Sequence, residues 1–178
     1  MSSRSDDDFG GLPAWAQRPL VMQIFAQAQA LGGEARIVGG AVRDWLANYP
    51  VGDIDMVINL PIETVASHMV ACDIRVVETG LKHGTITLYD NDDQIELTQT
   101  RVDLETDGRH AIVAHDQDWA RDAARRDFTI NALYLDSSGG IFDPLGGKAD
   151  LQAGRLRFAG DAALRVQEDA LRIIRYCR

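Results

Sequence analysis

The chain has 178 residues, 46% of them apolar and 25% charged, with a formal charge of −9. This composition supports one modest domain with a packed core and excludes bulk disorder. No apolar run approaches the ~20 residues of a membrane span, and two cysteines, Cys72 and Cys177, are too few for a disulfide framework or a thiolate zinc site.

Residues 1–11 read as a solvated acidic tail with no signal core, which fits a reducing, cytoplasmic setting. Pro13 to Leu31 reads as a helix, with Leu20, Ile24 and Ala28 on one stripe and Gly32-Gly33 as its stop. A short strand, 35–38, runs into Gly39-Gly40. Residues 41–48 look helical and 53–60 look like a strand. Pro61 opens a helix over 62–71. Three strand-like segments follow, 74–79, 84–89 and 94–100. Residues 102–118 are polar and read as a long loop. Residues 127–135 mix helix and strand signals, and 143–147 is a turn. Asp161 is expected to cap a helix over 162–178. Strands and helices without regular alternation indicate an α+β fold, a small mixed sheet backed by helices.

Asp53 and Asp55 sit at i and i+2, so on a strand both carboxylates leave one face while Ile54 points the other way. Two such groups repel unless a cation sits between them, and Mg²⁺ suits hard oxygen ligands with room left for substrate phosphates. Taken alone, the pair reads more readily as a strand edge with two solvated aspartates. Upstream, Gly39-Gly40 lies between a strand and a helix, where backbone N–H groups bind phosphate oxygens. Arg43 follows one helical turn later, within reach of a triphosphate. Glu96, opposite in parity to Ile95 and Leu97, is a candidate third carboxylate, though sequence alone does not assign its face.

Arg125-Arg126-Asp127 with Asn131 joins two cations, an acid and an amide in seven residues. Arg126 suits a triphosphate, and Asp127 and Asn131 suit ribose hydroxyls or hold the loop, or Asp127 caps a salt-bridged helix start. Near the end of the chain, Asp169 and Arg172 are spaced i, i+3 and Glu168 and Arg172 i, i+4. Such a pair offers a donor and an acceptor to the edge of a base, or simply laces a solvated helix. The net charge of −9 argues against a nucleic-acid partner. Residues 155–178, however, carry six arginines against three acids, a local +3.

The run GGAVRD…DID, then RRDFTINAL, FDPLGG and EDALR resembles the bacterial (class II) CCA-adding enzyme and poly(A) polymerase group of the polymerase-β-like nucleotidyltransferase superfamily. The resemblance covers about residues 35–178. It implies a nucleotidyltransferase head at 35–150 after an N-terminal helix at 12–34, and the beginning of a helical neck at 151–178, with body and tail helices absent. The implied activity is addition of CCA to the tRNA 3′ end from CTP and ATP with Mg²⁺. The implied roles are phosphate binding by Gly39, Gly40 and Arg43, metal binding by Asp53 and Asp55, and triphosphate and ribose contacts by Arg126 and Asp127. Asp169 and Arg172 would read the base, Glu168 would hold Arg172, and Arg175 and Arg178 would complete the pocket. The segment 101–110 resembles the flexible loop linked in that group to switching from C to A addition.

Overall fold

The structure is a computed structural model that describes residues 11–80, 84–91, 93–107, 110–115 and 118–177, with side chains described for all of these except 79, 102–107, 110–115 and 168. Its centre is a seven-stranded sheet. The strands are β1 (Ala35–Val38), β2 (Asp55–Ile58), β3 (Arg75–Gly80), β4 (Thr85–Asp90), β5 (Asp93–Gln99), β8 (Tyr134–Leu135) and β9 (Ile141–Phe142), in the order β3-β4-β5-β2-β1-β8-β9. β2 and β5 run parallel, and the remaining neighbours pair antiparallel.

Three helices cover one face of this sheet. α1 (Pro19–Ala30) begins at Pro19 because a proline's missing N–H costs nothing in a first turn. The chain before it forms a short 3₁₀ turn, Ala14–Ala16, where the sequence reading expected continuous helix. Leu20, Ile24 and Ala28 are fully buried as expected, and Gly32 ends the helix with φ +78°. α2 (Gly40–Leu46) follows the Gly-Gly turn. α3 (Ile62–Ala71) buries Ile62, Val65, Ala66 and Met69, and its first N–H is capped by the Gln99 side chain at 2.9 Å. Against these helices the sheet sets Ile37, Met56, Ile58, Ile86, Leu88, Ile95 and Leu97, each at most 1% exposed.

Residues 102–118, expected as a loop, instead form most of a hairpin, β6 (Arg101–Asp107) with β7 (His110–His115). Val102 and Leu104 alternate with Arg101, Asp103 and Glu105, a period-two signal that charge density hid. α4 (Trp119–Ala124) was not anticipated. Its cap, Asp118, accepts the Ala120 N–H at 2.8 Å. Residues 129–131 form a 3₁₀ turn and α5 (Gly147–Gln152) follows β9.

The last expected helix is two. Asp161 caps α6 (Ala162–Glu168) by accepting from the Leu164 N–H. The backbone then becomes extended at Asp169 (φ −153°, ψ 102°), and α7 (Leu171–Cys177) begins anew. Asp169 Oδ1 accepts the Leu171 N–H at 2.9 Å, so this aspartate acts as a second cap in the middle of the segment.

Candidate active site

The opposite face of the sheet, covered in part by α4 over Val38, Val57 and Tyr134, carries the candidate site residues. Pairing registers place Thr87 beside Glu96, Glu96 beside Asp55, Asp55 beside Val38, Val38 beside Tyr134 and Tyr134 beside Phe142. Residues paired in this way project to the same side. One row across six strands therefore runs from the carboxylates to a buried aromatic group. Asp53 precedes β2 and keeps its parity: Asp53 and Asp55 are exposed and Ile54 is buried. Glu96, whose face sequence could not assign, lies with them.

Although Asp55 is solvent-accessible, partial desolvation by the surrounding protein raises its carboxyl above the usual carboxylate range. Repulsion from Glu96 adds to this, Arg126 opposes it, and Asp53 contributes a smaller push upward. The donor set is therefore entirely hard oxygen with negative charge in excess, which fits a divalent cation such as Mg²⁺. Among the described residues no three ligands converge on one point. The Asp55–Glu96 pair with Asp53 beside it is what the fold supplies.

Next to the row lies the Gly-Gly turn. Gly39 adopts φ 76°, ψ −130°, a conformation reserved to glycine, and its N–H donates to the Leu133 carbonyl at 3.2 Å. This turns the chain sharply from β1 into α2. Arg43 is then fixed from two sides, its Nε donating to Asp44 Oδ1 and its Nη1 to Asn131 Oδ1, both at 2.8 Å. Asn131 Nδ2 donates to Asp127 Oδ1 at 3.1 Å. Asp127 Oδ2 pairs with Arg175 Nε at 3.1 Å, and Arg175 Nη2 pairs with Asp169 Oδ2 at 2.9 Å. A continuous polar chain thus links the Gly-Gly turn to α7.

That chain corrects one expected pairing. Asp169 pairs with Arg175 at i, i+6, not with Arg172, because the break at Asp169 removes the helical geometry that i, i+3 spacing presumes. Arg172 instead donates from Nη1 to the Arg165 carbonyl and from Nη2 to the Arg125 carbonyl, at 3.0 and 3.2 Å. The side chain of Glu168, Arg178, and Gly108 and Arg109 of the 101–110 segment lie outside the described residues.

Sequence reasoning missed Asp122. It is fully buried in α4, and Arg125 donates to its Oδ1 from Nε and Nη2 at 2.9 and 2.6 Å. Its Oδ2 accepts from Arg126 Nη2 at 3.0 Å and from the Tyr134 hydroxyl at 2.8 Å. Burial would raise this carboxyl, but the guanidinium groups of Arg126 and Arg125 and these hydrogen bonds outweigh it and hold the group below its ordinary range. The available signal was the i+3, i+4 spacing from Asp122 to Arg125 and Arg126.

Residues 35–157 match the family described as the poly(A) polymerase head domain. The mitochondrial CCA tRNA nucleotidyltransferase 1 of Danio rerio is 44% identical over 146 residues, covering 82% of this chain and 34% of that protein. The CCA-adding enzyme of Leuconostoc citreum is 40% identical over 165 residues, covering 88% and 40%. The crystal structure of the Bacillus stearothermophilus CCA-adding enzyme in complex with CTP superposes with a TM-score of 0.81 at 33% identity, covering 92% of this chain and 38% of that one. The chain thus spans between a third and two fifths of the length of these relatives.

Proposed function

Because this chain belongs to the poly(A) polymerase head-domain family, we propose that it is the nucleotide-binding and transferring part of an enzyme that adds CCA to tRNA 3′ ends from CTP and ATP. The observation that carries this reading is the row joining Asp55 and Glu96 in register, with Asp53 alongside and Arg126 acting on Asp55. In the reaction the acceptor 3′-hydroxyl replaces pyrophosphate at the α-phosphorus. Asp53 and Asp55 would hold Mg²⁺, and Glu96 would complete the carboxylate set. When bound, two such ions would supply Lewis-acid activation of the hydroxyl and neutralisation of the leaving pyrophosphate.

The chain's own residues do the rest. Gly39 and Gly40 open the backbone to the phosphates, and Arg43 and Arg126 offset charge developing on the triphosphate. Asp127 lies in the polar chain between Asn131 and Arg175, a place suited to a ribose hydroxyl. Asp169, Arg172 and Arg175 form the edge that selects the base, with Arg178 beyond them. The division into a head at 35–150 and a neck from 151 belongs to this reading, as does control of the A step by the 101–110 segment. So does a reducing, cytoplasmic setting, supported by the free Cys72 and Cys177. No helix among the described residues is long and apolar enough to cross a membrane.

The test incubates the protein with tRNA lacking its CCA, Mg²⁺, and labelled CTP and ATP, separately and together. Incorporation of C from CTP alone, followed by one A when ATP is added, is the expected result. Unlimited addition of A would identify a poly(A) polymerase instead. Nucleotide binding with no transfer, in this chain and in a version carrying a relative's helical remainder, would reduce it to a nucleotide-binding module.

A further inference from the structure

The ring of contacts around Arg126 is more elaborate than packing requires. Arg126 Nε donates to the Tyr134 hydroxyl at 2.9 Å, that hydroxyl donates to Asp122 Oδ2 at 2.8 Å, and Arg126 Nη2 donates to the same oxygen at 3.0 Å. Three groups from α4, the segment after it and β8 therefore close a loop in which the hydroxyl is both donor and acceptor. The Arg126 guanidinium also lies 5.1 Å from the centre of the Tyr134 ring. The ring is clamped edge-on by Trp119 and Phe142, each with centroids 5.9 Å away. Tyr134 and Asp122 are fully buried. Nη1 of Arg126 has no hydrogen bond to a described residue.

We propose that Tyr134 and Asp122 are positioning residues that lock the Arg126 guanidinium in one orientation and leave its Nη1 to meet a triphosphate oxygen. This rests on the nucleotidyltransferase reading above. Asp122 carries one negative charge against the two positive charges of Arg125 and Arg126. Within this trio one positive charge is left over, and through Arg126 it acts on the neighbouring Asp55 carboxylate. A guanidinium already held by two of its nitrogens loses little rotamer freedom when a ligand binds the third, which strengthens binding without a new contact. Tyrosine is needed rather than phenylalanine, since only the hydroxyl closes the loop.

Tyr134→Phe tests this, because it keeps the buried ring and removes one oxygen. Affinities for CTP and CMP are measured by calorimetry with Mg²⁺ in the parent, Tyr134→Phe, Arg126→Ala and the double variant, with melting curves as a check on folding. Tyr134→Phe is expected to weaken CTP about tenfold, the scale of one hydrogen bond to a charged group, and to leave CMP unchanged. In the Arg126→Ala background the same change is expected to have no further effect. Asp122→Asn should follow Tyr134→Phe wherever it folds. Unchanged CTP affinity, equal weakening of CTP and CMP, or an undiminished effect without Arg126 would each overturn the positioning role. A parent that binds no CTP at all would overturn the functional reading itself, a different outcome from any of these.

Discussion

The two faces of the central sheet are built on opposite rules. Beneath α1, α2 and α3, strand residues such as Ile37, Ile86, Ile95 and Leu97 are buried in the main hydrophobic cluster, and the face acts by excluding water. On the other side the same strands present Asp55, Glu96 and Thr87 beside a small apolar patch that holds Val38 and Val57, and the polar atoms buried there, on Tyr134 and on Asp122 of α4, are all hydrogen-bonded. Alternation along one strand is enough to separate the two tasks: Ile95 and Leu97 stabilise while Glu96, between them, is left in a repulsive neighbourhood. One face is optimised for stability; the other holds charge at a cost that the first face offsets.

If that division is right, substitutions on the two faces should fail in different assays. The largest effect is expected from Asp55→Ala, which should reduce transfer at least a thousandfold in an active context, the loss of ~4 kcal/mol of transition-state stabilisation. Its melting temperature should hold or rise, because a repelled carboxylate has gone. Labelled CTP incorporation and calorimetry on one preparation decide it; a marked loss of stability would place Asp55 with the structural face.

Asp122→Asn should fail in both assays. It leaves Arg125 and Arg126 without their anion, and removal of one partner of a buried pair costs about 3–5 kcal/mol. The sign of its pH dependence follows from the depressed carboxyl. A group lowered on folding stabilises the native state above its unfolded value, near 4, and that contribution disappears as pH falls through the lower folded value. The stability gap between parent and Asp122→Asn, measured by urea titration, should therefore be constant from pH 7 to about 5 and narrow below 4. A gap that widens in acid would show that Asp122 is not held as the anion.

Arg172→Ala should act mainly on choice. Selection of CTP and ATP over UTP and GTP is expected to fall about tenfold or more, as when a hydrogen-bonding site loses a partner. A four-nucleotide incorporation profile measures this, and an unchanged profile would leave Arg172 as a tie between α7 and the Arg125 carbonyl. The smallest effect belongs to the apolar face. Ile86→Val should cost about 0.5–1.5 kcal/mol of unfolding free energy and leave nucleotide affinity per folded molecule untouched, as read from urea midpoints and CTP titration.

Features with a local cause were legible in the sequence. β1 and α3 fall within the expected limits because Gly-Gly and Pro61 punctuate them. The parity of Asp53, Ile54 and Asp55 needed no tertiary information. What escaped depended on partners far along the chain. The face of Glu96 is set by its parallel register with β2, and the role of Asp122 by a tyrosine in another strand. The break at Asp169 escaped for a different reason: the i, i+3 and i, i+4 pairs were read on an unbroken helix, whereas the aspartate side chain competes for the backbone and starts a new one. The hairpin of β6 with β7 was hidden by the charge along β6, although Arg101 to Glu105 alternate in sequence.

The parallel pairing of β2 with β5 also governs when the site comes into being. Asp55 and Glu96 are 41 residues apart and meet across strands separated in the chain by α3, β3 and β4. Closing so long a segment is entropically slow, and the two carboxylates brought together at its end oppose the closure. The hydrophobic pair beside them, Met56 with Leu97, and the core cluster it belongs to must supply the drive. A growing polypeptide that has emerged only as far as β4 holds the Gly-Gly turn and both early aspartates, yet has no assembled carboxylate row. The carboxylate row is therefore assembled only once β5 has been synthesised and has docked beside β2.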